Sequence, residues 1–252
     1  MRTNNQKQIH PLARDFIVAD DRKSISVADI GCFNRPIWGF AAQLKDEVDY
    51  LGVDEDPTAL KYLKEAGLAG TDAAGYNAGP AFDYTFGLEV IEHIRHEDSI
   101  GFLTSLRDKT SRAFFLATPN FEGWNAKGYS TVARRPDLAE LRYIPDHLRS
   151  FNPKSGNPHH HKQIMTAEGL DGQLAEVLPR DVWDWEVIKS WPWALTDLAT
   201  GNVFIHYFKL HIVAWRRAAF DRDMKLHVAE FCEKNAPPLD RMIEVSSGVT
   251  AG

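Results

Sequence analysis

The sequence predicts a single α/β domain: a mostly parallel sheet with helices on both faces and an antiparallel hairpin at its C-terminal edge. Three observations predict it. Short apolar runs alternate with helix-spaced segments between residues 27 and 120, the pattern of βαβ units. Two longer apolar runs, near Trp185–Ser190 and Phe204–Trp215, then follow with only a turn-bearing stretch between them, which suits an antiparallel pair. The 252 residues, 44% of them hydrophobic, are enough for one large core.

The elements follow in order. Residues 1–26 are polar apart from a mixed segment at Leu12 to Ala19, and read as an N-terminal cap helix and linker. Val27 to Ile30 is a short buried strand ending at Gly31, and Ile37 to Leu44 reads as a helix. Tyr50 to Val53 is a second strand, closed by Asp54. Pro57 suits the first position of a helix running to Ala66. A short strand near residues 68–72 precedes the strand Phe82 to Leu88. From Glu89 to Leu106, the residues Ile91, Ile94, Phe102 and Leu106 have helical spacing. Ala113 to Ala117 is a further strand, ending at Thr118-Pro119-Asn120. Thr166 is a candidate N-cap for a helix reaching Val177. The main domain thus covers residues 27–220, and residues 221–252 read as a charged helix and tail.

Residues 121–162 interrupt the rhythm. They are rich in Pro, Gly, Asn and Arg, too long for an ordinary connection, and read as a lid or substrate insertion. From Lys127 to Lys162 the segment carries a net charge of +4, against −10 for the rest of the chain. A positive lid over a negative body could draw in an anionic ligand, with Arg134, Arg135 and Arg149 as contacts; the alternative is a solvated loop with scattered charge. The pairs Trp183/Trp185 and Trp191/Trp193 each share a face at strand period. The first pair suits the core. The second lies past the expected strand, where Trp193 suits a pocket wall.

A formal charge of −6 speaks against a protein that coats nucleic acid. The two cysteines, Cys32 and Cys232, imply neither a disulfide framework nor a thiolate zinc site, and fit reduced thiols in a cytoplasmic protein. The N-terminus shows no apolar core of a leader peptide. Val203 to Trp215 is too short, and too interrupted by His206, Lys209 and His211, to span a bilayer. No membrane association is expected.

Asp29-Ile30-Gly31-Cys32 after the first strand resembles the glycine-loop motif of class I S-adenosylmethionine (SAM)-dependent methyltransferases. Further matches are Asp54 after the second strand, Phe82-Asp83 through Leu88-Glu89-Val90-Ile91-Glu92-His93, and Thr118-Pro119-Asn120. The resemblance covers roughly residues 27–215 and implies a Rossmann-like, seven-stranded, mostly parallel sheet. It implies SAM as cofactor, with Asp29, Gly31, Cys32, Asp54, Asp72 and Glu89 around it and Asn120 near the substrate. Gly31 would spare a Cβ where the chain nears the ligand. Asp54 suits the ribose hydroxyls; its alternative is an acid at the following helix N-terminus. Asp72 suits the adenine amino group or a solvated loop. The family's further glycines are replaced here by Phe33 and Arg35. That departure implies either a variant loop or a fold that has lost SAM and serves as a binding subunit.

Glu89, Glu92 and His93 stand at i, i+3 and i+4, and on the first turn of a helix they would share one face. The string also resembles that of the Hen-type small-RNA 2′-O-methyltransferases, which add a later histidine. His161, five residues before Thr166, is the match here. Glu89, Glu92, His93 and His161 therefore form a candidate site for Mg²⁺, Mn²⁺ or Zn²⁺. The metal-free alternative makes His93 the general base and His161 its second. The expected function is O-methylation of a small, anionic, hydroxyl-bearing molecule. Metal-dependent ribose methylation of RNA ranks behind it, and a non-catalytic binding subunit is the third reading.

Overall fold

A computed structural model describes residues 11–34, 36–120, 154, 156, 160–196, 203–220 and 223–234. Seven strands form one sheet: β1 Ser24–Ile30, β2 Glu47–Val53, β3 Ala69–Thr71, β4 Phe82–Leu88, β5 Thr110–Pro119, β6 Trp183–Thr196 and β7 Val203–Arg216. Their spatial order is β3-β2-β1-β4-β5-β7-β6. The first five are parallel to one another, and β7 runs antiparallel to both β5 and β6. The predicted mostly parallel sheet with an antiparallel C-terminal hairpin is therefore the observed one.

Helices cover both faces. On one face, α1 (Pro11–Ala19), α2 (Trp38–Ala41), α3 (Pro57–Glu65) and α7 (Met224–Lys234) pack on the sheet. There Phe16 meets Phe115, Trp215 and Phe220 edge-on at centroid distances of 5.3–5.7 Å. On the other face, α5 (His96–Lys109) and α6 (Ala167–Val177) bury Leu103, Leu106, Leu170 and Leu174 against Phe114, Leu116 and Trp183. The helix α4 (Ala73–Ala78) sets Tyr76 on Phe82 beside them. Burial of this kind supplies the driving force for the fold.

α1 is integral to the core. Leu12, Ala13, Phe16 and Ile17 are fully buried, so residues read as cap and linker anchor the sheet. Just beyond, Asp20 accepts hydrogen bonds from Arg22 and Tyr84 and pairs with Arg112. Burial pushes its carboxyl up, but these partners outweigh burial and hold it at about 2.

Several boundaries differ from expectation. β1 starts three residues earlier, because Ser24–Ser26 already pair with Glu47–Asp49. β6 runs on to Thr196, so Trp191-Pro192-Trp193 lies within a strand, not past it. Pro192 is tolerated there because β6 is the edge of the sheet. The largest difference lies after β4. One helix was expected from Glu89; instead Glu89 adopts φ +60°, a 3₁₀ turn covers Ile91–His93, and α5 begins at His96.

Candidate active site

The chain reverses its direction of winding beside β1, since β2 and β3 lie to one side of it and β4 and β5 to the other. In open α/β sheets the crevice at the carboxyl ends of such strands is where ligands bind. Asp29, Gly31, Cys32, Asp54, Asp72, Glu89 and Asn120 stand at or just beyond these strand ends.

The loop after β1 turns sharply. Gly31 has φ +68° and Phe33 φ +40°. A Cβ on Gly31 would stand 2.5 Å from Val90 Cγ2, so the turn after β4 by itself calls for glycine here. Asp29 lies beneath the loop, fully buried. Its Oδ2 accepts the Ile37 amide at 2.9 Å and the Tyr50 hydroxyl at 2.8 Å. Burial pushes this carboxyl up to about 7, and the hydrogen bonds only partly offset it. Cys32 turns into the core, where burial pushes its thiol well up, leaving its backbone as the part at the loop.

Asp54 closes β2. Its Oδ2 accepts the Phe33 amide and its Oδ1 the Asp56 amide, both at 2.9 Å. Each oxygen keeps a lone pair for a further donor. Phe33 itself is 40% exposed. Asp72 caps α4 by accepting the Gly75 amide at 2.8 Å, which accounts for an acid at that position without a ligand.

A second group lies beyond β4. Glu92 is fully buried, and its Oε2 accepts from the Thr118 hydroxyl at 3.0 Å. Its Oε1 has no hydrogen-bond partner among the described residues. Burial, and then the charge of Glu89, push this carboxyl up to about 8. His93 and His161 meet edge-on with centroids 4.8 Å apart. The ligand atoms of Glu92, His93 and His161 all lie within 4.8 Å of one another. The returning segment is clipped in place: the Lys162 amide donates to the Glu92 carbonyl at 2.7 Å, and Gln163 Nε2 donates to the Ile91 carbonyl at 2.7 Å. His161 is held down to about 4 by burial, then by the positive fields of His93 and Lys209.

Glu89 is placed apart from that trio. With no shared α-helical face, its carboxylate crosses instead to Lys209 on β7, with which it forms an ion pair. The expectation of one helical face for Glu89, Glu92 and His93 is thus corrected: the left-handed residue and the 3₁₀ turn separate them. Asn120 is buried at the end of β5. Arg35, Arg134, Arg135 and Arg149 lie outside the described residues, and Trp193 is described only by its place in β6, opposite His206.

No family model matches the chain, and no curated protein matches its sequence. Solved structures do. A SAM-dependent methyltransferase from Archaeoglobus fulgidus superposes with a TM-score of 0.54 at 14% identity, over 81% of this chain and 90% of that one. The plantazolicin methyltransferase BamL gives 0.54 at 14%, over 81% and 83%. The small RNA methyltransferase HEN1 gives 0.51 at 16%, over 81% of this chain and 25% of that one. The fold is that of class I SAM-dependent methyltransferases.

On this class I methyltransferase fold, sequence reasoning missed Lys209, Thr118, Tyr50 and Val90. Lys209 had a signal. It and His211 stand at i, i+2 in a mostly apolar strand, and both are buried. Two buried polar residues on one strand face point to a site or a network. His211 meets the Ser190 hydroxyl through Nδ1 at 2.9 Å.

Proposed function

We propose that the chain is a SAM-dependent methyltransferase that modifies a hydroxyl of a small, anionic acceptor, with His93 as general base. The observation that carries this reading is the Asp54–Phe33 hydrogen bond across the glycine turn. It sets a carboxylate with spare lone pairs at the switch-point crevice, on a fold whose neighbours include a magnesium protoporphyrin IX methyltransferase from Synechocystis with bound S-adenosylhomocysteine. The residues present fit the cofactor. Asp54 would hold the ribose hydroxyls, and the backbone of residues 31–33 would border the amino-acid portion, with Asp29 fixing that loop from below.

When bound, SAM supplies an electrophilic methyl group on a sulfonium, and transfer is an in-line displacement. The chain's own work is alignment, water exclusion and proton removal. His93 Nδ1 lies 3.2 Å from the His160 carbonyl. A carbonyl only accepts, so Nδ1 carries the proton and Nε2 is the basic nitrogen. His161 stays neutral at physiological pH and adds no repelling charge. The basic segment with Arg134, Arg135 and Arg149 supports an anionic acceptor through its sequence charge.

Calorimetry with SAM and S-adenosylhomocysteine tests the reading. Affinity for both supports it. Failure to bind either at about millimolar concentration supports the non-catalytic binding subunit.

A second reading is favoured by one observation: the Glu92, His93 and His161 ligand atoms converge, and Glu92 brings a buried oxygen without a partner. A divalent ion there would be held by those three side chains and would lower the pKa of the acceptor hydroxyl. With that chemistry a ribose 2′-hydroxyl of RNA is the competing acceptor. Loss of activity in EDTA, together with salt-dependent RNA binding, would favour it.

A further inference from the structure

Lys209 is 3% exposed and meets Glu89, whose own backbone sits in the left-handed region. A non-glycine residue held there is over-determined by its surroundings. β7 supplies the lysine: Lys209 pairs with Pro119 at the end of β5, one residue beyond Thr118, which holds Glu92. The ammonium therefore stands beside the trio of Glu92, His93 and His161. Three candidate ligands thus converge, and Glu89, the fourth in the string, stands outside them with its carboxylate committed to a cation of the chain itself.

Resting on the second reading above, we propose that Lys209 is a built-in counter-cation that withholds Glu89 from the Glu92–His93–His161 group, so that a divalent cation is taken through three side chains. Removing the lysine leaves a desolvated carboxylate with no counter-charge. Such a group is costly to keep, and the least costly response is to take up a cation from solution. Wild-type affinity is then limited by Lys209, and Glu89 contributes to metal binding only once the lysine is gone.

The test is a Co²⁺ titration of the full chain, read by calorimetry and by the visible absorption of the ion. Four proteins are compared: wild type, Lys209→Met, Glu89→Gln and the double variant. Lys209→Met should bind Co²⁺ at least about tenfold tighter, with a changed visible spectrum from the added ligand. Glu89→Gln alone should bind within about twofold of wild type, and the double variant should return to wild-type affinity. The proposal is overturned if Glu89→Gln alone weakens Co²⁺ binding about tenfold or more, because Glu89 is then already a ligand. It is equally overturned if Lys209→Met gains nothing, or if neither wild type nor Lys209→Met binds Co²⁺. The Glu89→Gln arm decides the matter even if Lys209→Met does not fold. S-adenosylhomocysteine binding, measured separately on wild type, keeps failure here distinct from failure of the methyltransferase reading.

Discussion

The Asp54 carboxylate accepts the Phe33 amide proton at 2.9 Å, joining the end of β2 to a loop whose residues 31 and 33 both have positive φ. One carboxylate thus holds the turn and lines the crevice. Asp54→Ala should weaken S-adenosylhomocysteine binding by about tenfold or more, the loss of a charge-assisted pair of hydrogen bonds being about 1.5–3 kcal/mol. Asp54→Asn, which still accepts, should lose less. Calorimetry on the three proteins checks the order.

Gly31→Ala should destabilise the fold by about 1–3 kcal/mol. Two causes add: a backbone at φ +68° and a Cβ 2.5 Å from Val90 Cγ2. Adding Val90→Ala should recover the steric part and leave the backbone part. Thermal unfolding of the single and double variants separates them.

Asp29 gives a pH dependence with a definite sign. Its folded pKa of about 7 lies above the ordinary value of 3.8. The folded state therefore holds the proton more tightly, and this contribution is full below pH 4 and lost as pH rises through 7. His161 acts oppositely, since its folded value of about 4 lies below 6.5, so its contribution is gained as pH rises through that window. Asp29→Asn keeps acceptors for Ile37 and Tyr50 but cannot ionise. Its stability relative to wild type should rise between pH 5 and pH 8, by an amount on the order of 1 kcal/mol or more. Urea unfolding at several pH values checks it, and a flat difference would refute it.

Thr166→Ala should cost about 1 kcal/mol. The Thr166 hydroxyl accepts the Gly169 amide at 3.1 Å and caps α6. Because α6 packs on α5 and the sheet, the loss should appear in global unfolding by urea, with no change in S-adenosylhomocysteine affinity.

What the sequence revealed follows from what is local. β4 was read to its ends, Phe82 and Leu88, because its apolar run is bounded by Pro80 on one side and Glu89 on the other. The Thr166 cap was legible for the same reason. Glu89 was misread because the spacing of Ile91 and Ile94 with later residues imitates one long helix, and nothing local reports a left-handed residue at a strand end. Val90 over Gly31, Tyr50 on Asp29 and Lys209 on Glu89 are long-range pairings. Only the strand order brings them together, and periodicity carries no record of that. His161 could be singled out by its register before Thr166 and His93 by its place in the string that starts at Glu89, whereas their edge-on meeting required the fold.

The clip at Ile91 and Glu92 has a further consequence. Asn120 is buried where β5 ends, and the Lys162 and Gln163 amides are fastened to the Glu92 carbonyl where the chain re-enters the fold. Because the Lys162 amide and the Glu92 carbonyl are both backbone groups, the seating of His161 against His93 is insensitive to which side chain stands at residue 162.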